Sequence, residues 1–419
     1  MSHRKPRKPQ KPKKLRWRLE CLGHTMIEGL AALLPGPWVF RLGEWLGALA
    51  WHLMPQRRRI VLRNLRIACA GEKDLTEIHR LARETFRRSG ANLVSVSHTA
   101  RLSPAQLREV LRVENMHLLE DAQARGMGVV LLLAHMGNWE LLSRIIHLFP
   151  PGSKCGAFYR PLNNPLLDAL VLARRQTDGT RMFSKRDPFH EVTKFLREGG
   201  IVGILADQRV GMQGEVVPFF GRLTRATPLP SLLARRAKAE VLSLTLVTEA
   251  PGKWKAVLHA VESPPTTAHC MAALEKGMKA SPADVFWLQE RWKVYAGSNV
   301  SFCKWLDGRE AGGTKRHRAL MWLMDADPEW HLPDDWKHPD ISYQIAIPND
   351  FGAPDWVEED MKLVVPMFSP DPSVSEIRRY LRSWDGEHLP PLDFILAPAA
   401  GEVLRKSAKR ESIPLIHIP

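Results

Sequence analysis

The sequence predicts an α/β protein: amino-terminal helices, then a mixed, mostly parallel sheet flanked by helices, then a small carboxyl-terminal α/β domain. Three observations predict it. Val129-Val-Leu-Leu-Leu133 is a short, uninterrupted apolar run, the pattern of a strand buried on both faces. Between Lys154 and Ala260 such runs alternate with helical segments. The same alternation returns on a smaller scale between Ala319 and Pro419.

Length and charge frame the reading. At 419 residues, two or three domains are expected, and 44% apolar residues suffice for a large core. The net charge of +15 calls for an anionic partner, either nucleic acid or an acidic membrane surface. Nine of the positive charges lie between Arg4 and Arg18, which leaves +6 for the rest. The five cysteines are scattered and never form a C-x-x-C, so they read as reduced, cytoplasmic and free of metal.

Residues 1–14 are mostly Lys, Arg and Pro and are expected to be a disordered tail. A nucleic-acid arm and a segment held by anionic lipid both fit that composition. The next stretch favours lipid. Residues 15–54 form two helices, Trp17–Leu34 and Trp38–Met54, broken at Pro35-Gly-Pro37. Both carry charges, among them Arg18, Glu28, Arg41 and Glu44, so neither offers the roughly 18–20 uncharged residues of a span. They read as interfacial helices anchored by Trp38, Trp45 and Trp51, although a helical hairpin packed on the core has the same pattern. No small-residue cleavage site follows a clean apolar core, so this is not a cleavable signal peptide. Helices are expected at Leu75–Ser97 and at Leu107–Ala124, the latter started by Ser103-Pro104.

The centre of the chain is Val129–Glu140. The apolar run stops at His135, Gly137-Asn138 allows a turn, and Asn138 is a good N-cap for a helix from Trp139. His135 then sits at the carboxyl end of a strand, where α/β sheets bind ligands, and Glu140 in the first turn of the next helix. Across such a junction the two side chains can face each other. A carboxylate on one imidazole nitrogen fixes the tautomer, and the other nitrogen can then deprotonate a hydroxyl. An ordinary helix start, with Glu140 answering the dipole, has the same spacing.

Downstream, strands are expected at Lys154–Phe158, Thr180–Phe183, Ile201–Ala206, Glu240–Val247 and Trp254–Ala260. Helices are expected at Pro165–Gln176, Phe189–Arg197 and Pro228–Lys238. Three of the apolar strands end in polar residues: His135, Tyr159-Arg160 and Asp207-Gln208. If those strands are parallel, the three ends share one sheet edge. Singly, Asp207 reads as a turn residue and Arg160 as a surface cation.

These motifs carry a resemblance. Ala134-His135-Met-Gly-Asn138-Trp-Glu140, Tyr159-Arg160-Pro161-Leu-Asn-Asn-Pro165, Leu205-Ala-Asp207-Gln208, Val217-Pro-Phe-Phe-Gly221 and Trp287…Arg291-Trp292-Lys293 follow one another in order. Over residues 15–300 the chain resembles the bacterial lipid A biosynthesis lauroyl/myristoyl acyltransferases, the late acyltransferases of the lysophospholipid acyltransferase group. The resemblance implies an enzyme on the cytoplasmic face of the inner membrane that moves an acyl chain from acyl carrier protein to a hydroxyl of a lipid A precursor. It implies His135 as general base and Glu140 as the group that orients and charges it. Asn138, Tyr159, Arg160, Asp207 and Gln208 would contact substrate. Anionic lipids and a glycolipid acceptor are the other partners implied; no cofactor, metal or nucleic acid is. Arg209, where the family often has an acid, and Leu229, where it commonly has Gly, depart from the pattern and bear on acceptor identity.

The residues themselves agree. No G-x-S-x-G elbow and no Cys near the site suggests a covalent acyl-enzyme. Backbone N–H groups at Asn138–Glu140, or Arg160, are candidate oxyanion donors, and Pro218–Phe220 a candidate acyl lining, with plain core as the ordinary reading. Two other functions fit the composition: acylation of another lysophospholipid or glycolipid, and a non-catalytic docking protein at the membrane surface. On this reading the acyltransferase domain spans 55–306 and a linker 307–318. The small α/β domain, 319–419, resembles half of a Rossmann-like glycosyltransferase unit without a Gly-rich loop, and Asp325, Asp327 and Asp393 read as turn residues.

Overall fold

Val129–Leu133 has no polar face because it is the central strand of seven, covered on both sides. This is seen in a computed structural model that describes residues 14–418, apart from 293–316 and the short stretches 185–186, 212, 328, 350–351, 353, 359–360, 370 and 388–390. The basic tail expected at 1–14 and the linker expected at 307–318 fall almost wholly outside the described residues.

In chain order the strands are β1 (Leu111–Glu114), β2 (Val129–Leu133), β3 (Cys155–Phe158), β4 (Arg181–Phe183) and β5 (Ile201–Leu205). Then come a hairpin of β6 (Glu215–Phe219) and β7 (Arg222–Ala226), and β8 (Glu240–Ala250) and β9 (Lys253–Ala260). The large sheet runs β1-β9-β8-β2-β5-β3-β4, parallel throughout except between β8 and β9. The strands ending in His135, Asp207 and Tyr159 are therefore neighbours pointing the same way, and their polar ends do share one edge. The helix expected at Leu107–Ala124 is instead two short helices with β1 between them. Leu111 and Val113 pair in register with Trp254 and Ala256, and tertiary pairing outweighs a modest helical pattern there.

Helices cover both faces. α1 (Lys14–Ala32), α2 (Gly36–Leu53), α3 (Pro55–Ala68) and α4 (Leu75–Thr99) form an amino-terminal layer. α4 starts on a capping box, with Asp74 accepting from Glu77 N at 2.8 Å and Glu77 accepting from Asp74 N at 3.0 Å. α2 and α4 cross with their backbones in contact. A Cβ on Gly47 would lie 2.2 Å from Phe86 O, and one on Gly43 2.6 Å from Ala91 Cα. Neither glycine has room for a side chain at this crossing. Replacing Gly47 with Leu should force the helices apart and cost roughly 1–3 kcal/mol in a urea melt. Trp51, expected as an interfacial anchor, is buried and stacks edge-on against Phe86 at 5.4 Å. Trp38 and Trp45 remain 66% and 63% exposed. Among the described residues, no helix is long and apolar enough to cross a membrane.

The carboxyl-terminal sheet has β10 (His317–Trp322), β11 (Ile341–Ala346), β12 (Lys362–Val364), β13 (Phe394–Ala397) and β14 (Leu415–His417). They are all parallel, in the order β12-β11-β10-β13-β14. The chain winds outward from β10 to one edge and returns to build the other side, the doubly wound arrangement that the short apolar runs suggested. Asp393 is not a turn residue. It is buried, with Oδ1 2.9 Å from Arg222 Nε and Oδ2 accepting from Arg318 N at 2.9 Å. Burial alone would push its carboxyl up, but Arg222 and His317 outweigh that and hold it down at about 2, against 3.8 for a free aspartate. Ionised Asp393 therefore stabilises the fold above about pH 4, and that contribution drains away as pH falls towards 2. An acid titration should show the contact between Arg222 and the carboxyl-terminal sheet weakening in that window, and Asp393→Asn should flatten the transition.

Candidate active site

β2 delivers His135 to the sheet edge, and the backbone beyond it is pinned from two sides. His135 O accepts from Phe286 N at 2.8 Å, and Gly137 N donates to Asp284 O at 2.9 Å. Gly137 has φ +57°, and a Cβ there would meet Leu246 O at 2.6 Å, so the turn needs glycine. Asp284 in turn is anchored by Thr248, whose Oγ1 donates to it at 2.6 Å and whose N donates at 2.9 Å.

The imidazole meets a carboxylate, and that carboxylate is Asp207. His135 Nδ1 lies 2.7 Å from Asp207 Oδ1. The other carboxylate oxygen, Oδ2, and the carbonyl of Asp207 each accept from one Arg291 nitrogen at 2.6 Å. Asp207 is fully buried; burial would raise its pKa, but Arg291 and His135 more than offset it and hold the carboxyl well below the usual carboxylate range. An ionised Asp207 assigns the proton to His135 Nδ1 and leaves the lone pair on Nε2. Gln208 marks that lone pair, with its Nε2 3.2 Å away. The His135 side chain is 15% exposed, so Nε2 is reachable from solvent once Gln208 gives way.

Glu140 was expected to orient His135. Its carboxylate instead grips Arg175, at 2.6 and 3.0 Å, and Arg175 belongs to the helix Pro165–Gln176. The helix that carries Glu140 is a 3-10 helix, Trp139–Leu148, and Asn138 makes no side-chain cap to it. Asn138 is buried and donates to Thr99 Oγ1 at 3.1 Å, tying the turn to α4. Trp139 leans edge-on to His135 with ring centroids 5.4 Å apart. Beside it opens a cavity of about 250 Å³, lined by Leu93, Val96, Trp139, Val171 and the Glu140–Arg175 pair.

The other expected contacts divide. Tyr159 extends β3, donating its N–H to Phe183 O at 2.8 Å, with its ring half-buried. Arg160 follows it and is exposed. Phe219 and Phe220 do not line the cavity. They are core, packed on Trp287 and Trp292. Two arginines complete the site without a role assigned to them from the sequence. They are Arg175, in the last turn of its helix, where a basic residue answers the dipole, and Arg291, quoted only within the Trp287…Lys293 motif and 84 residues from the aspartate it clamps.

Comparison with known proteins bears on the same span. The model of the bacterial lipid A biosynthesis acyltransferase family matches residues 8–294. The chain is 30% identical over 275 residues to a lipid A biosynthesis lauroyltransferase of Escherichia coli, covering 63% of this chain and 88% of that one. It is 31% identical over 190 residues to a lipid A biosynthesis acyltransferase of Haemophilus influenzae, covering 45% and 59%. It is also 28% identical over 225 residues to a phosphatidylinositol mannoside acyltransferase of Mycobacterium tuberculosis, covering 51% and 67%. The match takes in β2, β5 and the Asp284–Arg291 segment, and so includes His135, Asp207 and Arg291. The chain belongs to the bacterial lipid A biosynthesis acyltransferase family.

Proposed function

We propose that this protein transfers a fatty acyl chain from acyl carrier protein to a hydroxyl of a lipid A precursor, at the cytoplasmic face of the inner membrane. The observation that carries the reading is the buried line Arg291–Asp207–His135, which presents a lone pair at the sheet edge. The acceptor hydroxyl displaces Gln208 and gives its proton to His135 Nε2 as its oxygen attacks the thioester carbon. Backbone N–H groups of Asn138–Glu140, or the guanidinium of Arg160, meet the oxyanion. The C–S bond then breaks and the imidazolium returns the proton to the departing thiolate. Asp207 stays ionised throughout and stabilises the imidazolium. Glu140 pairs with Arg175 on the wall of the neighbouring cavity. The cavity under Trp139 is the slot for an acyl chain, with Leu93, Val96 and Val171 on its walls.

The membrane reading rests on α1 and α2. Leu15, Leu19, Leu22, Trp38, Trp45 and Leu53 are each at least 57% exposed on these adjoining helices, the pattern of an interfacial anchor. Anionic lipid is the partner that both this face and the basic residues 1–14 would favour.

The test is transfer of radiolabelled acyl groups from acyl carrier protein to a panel of lipids. Wild type should label a lipid A precursor, and His135→Ala should lower that rate about 100- to 10,000-fold. Labelling only of another glycolipid, such as a mannosylated phosphatidylinositol, would keep the chemistry and change the acceptor. Folded protein that labels nothing would overturn the reading.

A further inference from the structure

We propose that the carboxyl-terminal domain is a clamp that holds the partner of the catalytic base in place, with Arg222 and Asp393 as its positioning residues. The inference rests on the reading of His135 as the base. Its evidence is a set of contacts in which neighbouring residues face two ways. On β7, Arg222 reaches the carboxyl-terminal domain: its Nε lies 2.9 Å from Asp393 Oδ1, and it donates to Pro391 O at 3.0 Å. Two residues along the same strand, Thr224 Oγ1 donates to Arg291 O at 2.9 Å. On α3, Arg63 donates to Leu392 O, while Asn64, next to it, donates to Trp287 O at 2.8 Å and Gln289 O at 2.7 Å. Residues 391–393 thus grip the two elements that together grip the segment 287–291. That segment ends in the arginine which clamps Asp207, and Asp207 holds His135.

The hairpin has reason to need such support. β6 and β7 form a two-stranded sheet separate from the seven-stranded one, and two strands alone are marginal in water. Phe220 sits at φ +53° in its two-residue turn, a conformation unusual for an aromatic residue, with its N–H held by Glu275 at 2.6 Å. What stiffens β7 just past that turn is Arg222 on Asp393 and Leu223, which packs into the core formed by Ala319, Tyr343 and Phe394. Arg222 and Asp393 are 5% and 6% exposed, so their pair is shielded from water and salt. The domain therefore bears on the reaction without contacting substrate. It fixes the orientation of Asp207 from behind, and misplacement of a reacting group by about 1 Å can cost two orders of magnitude in rate.

The experiment compares full-length wild type, Arg222→Ala, Arg222→Lys and Asp393→Asn in the acyl transfer assay, with hydrogen–deuterium exchange on each. Arg222→Ala should lower kcat about 10- to 100-fold, leave KM for donor and acceptor within about twofold, and speed exchange over 284–292 while β2 stays protected. Arg222→Lys, which keeps the charge on Asp393, should recover most of the rate. Asp393→Asn should give the same loss of kcat and the same faster exchange, and carries the test where Arg222→Ala does not fold. Glu376→Ala, which removes a cap from the helix Val374–Glu387 in the same domain, should leave kcat within twofold. Unchanged kcat and unchanged exchange in both Arg222→Ala and Asp393→Asn would overturn the clamp while the active-site reading stood. A wild type that transfers nothing would overturn both.

Discussion

Asp207→Asn should lower kcat by about three to four orders of magnitude while the protein stays folded, as expected when the orienting acid of a histidine base is neutralised. The reason is the tautomer. The side chain at 207 must accept from Arg291 on one side, so an asparagine turns its oxygen to Arg291 and its NH2 to His135 Nδ1. Nδ1 then accepts, the proton moves to Nε2, and the lone pair faces away from the substrate. Turnover at saturating donor and acceptor measures the effect, and circular dichroism checks the fold. A loss of less than tenfold would mean that Asp207 does not orient the base, and would return that role to Glu140.

Arg291→Leu should have the largest effect on stability, about 3–5 kcal/mol, because it leaves a fully buried carboxylate with most of its compensation removed. Arg291 also rests on the face of Trp287 at 5.2 Å and donates to Phe286 O at 3.2 Å, so packing is lost along with charge. Two further results follow from the same physics. With Arg291 gone the carboxyl rises, so the deficit should shrink as pH is lowered and Asp207 takes up a proton. Arg291→Leu combined with Asp207→Asn should recover part of the stability and none of the activity, a non-additivity that a cycle of denaturant melts would measure. Equal and additive losses in the two single variants would mean that the pair is not coupled.

Much of this protein was legible in its residues. Pro165–Gln176 and Phe189–Arg197 begin and end where their Pro, cap and Gly signals put them. The strands at Val129, Ile201 and Glu240 were readable because a strand buried on both faces has to be apolar without interruption. The small domain was readable from the same short runs. What failed was local. Leu111–Glu114 has no strong strand signal and owes its conformation to β9. Asn138 has the chemistry of a cap, but Thr99 offered its side chain a buried partner.

The sequence by itself determined that His135, Asp207 and Tyr159 would each follow a short apolar strand, since strand length and polarity are written in consecutive residues. Only the tertiary structure decided which acid serves His135 and what stands behind that acid. Glu140 is near in sequence, but the sheet places β5 beside β2 and so brings Asp207 to the imidazole. Arg291 meets Asp207 from 84 residues away, and Arg222 meets Asp393 from 171. No periodicity records such separations, because a buried charge selects its partner by proximity in the folded core and not by spacing along the chain.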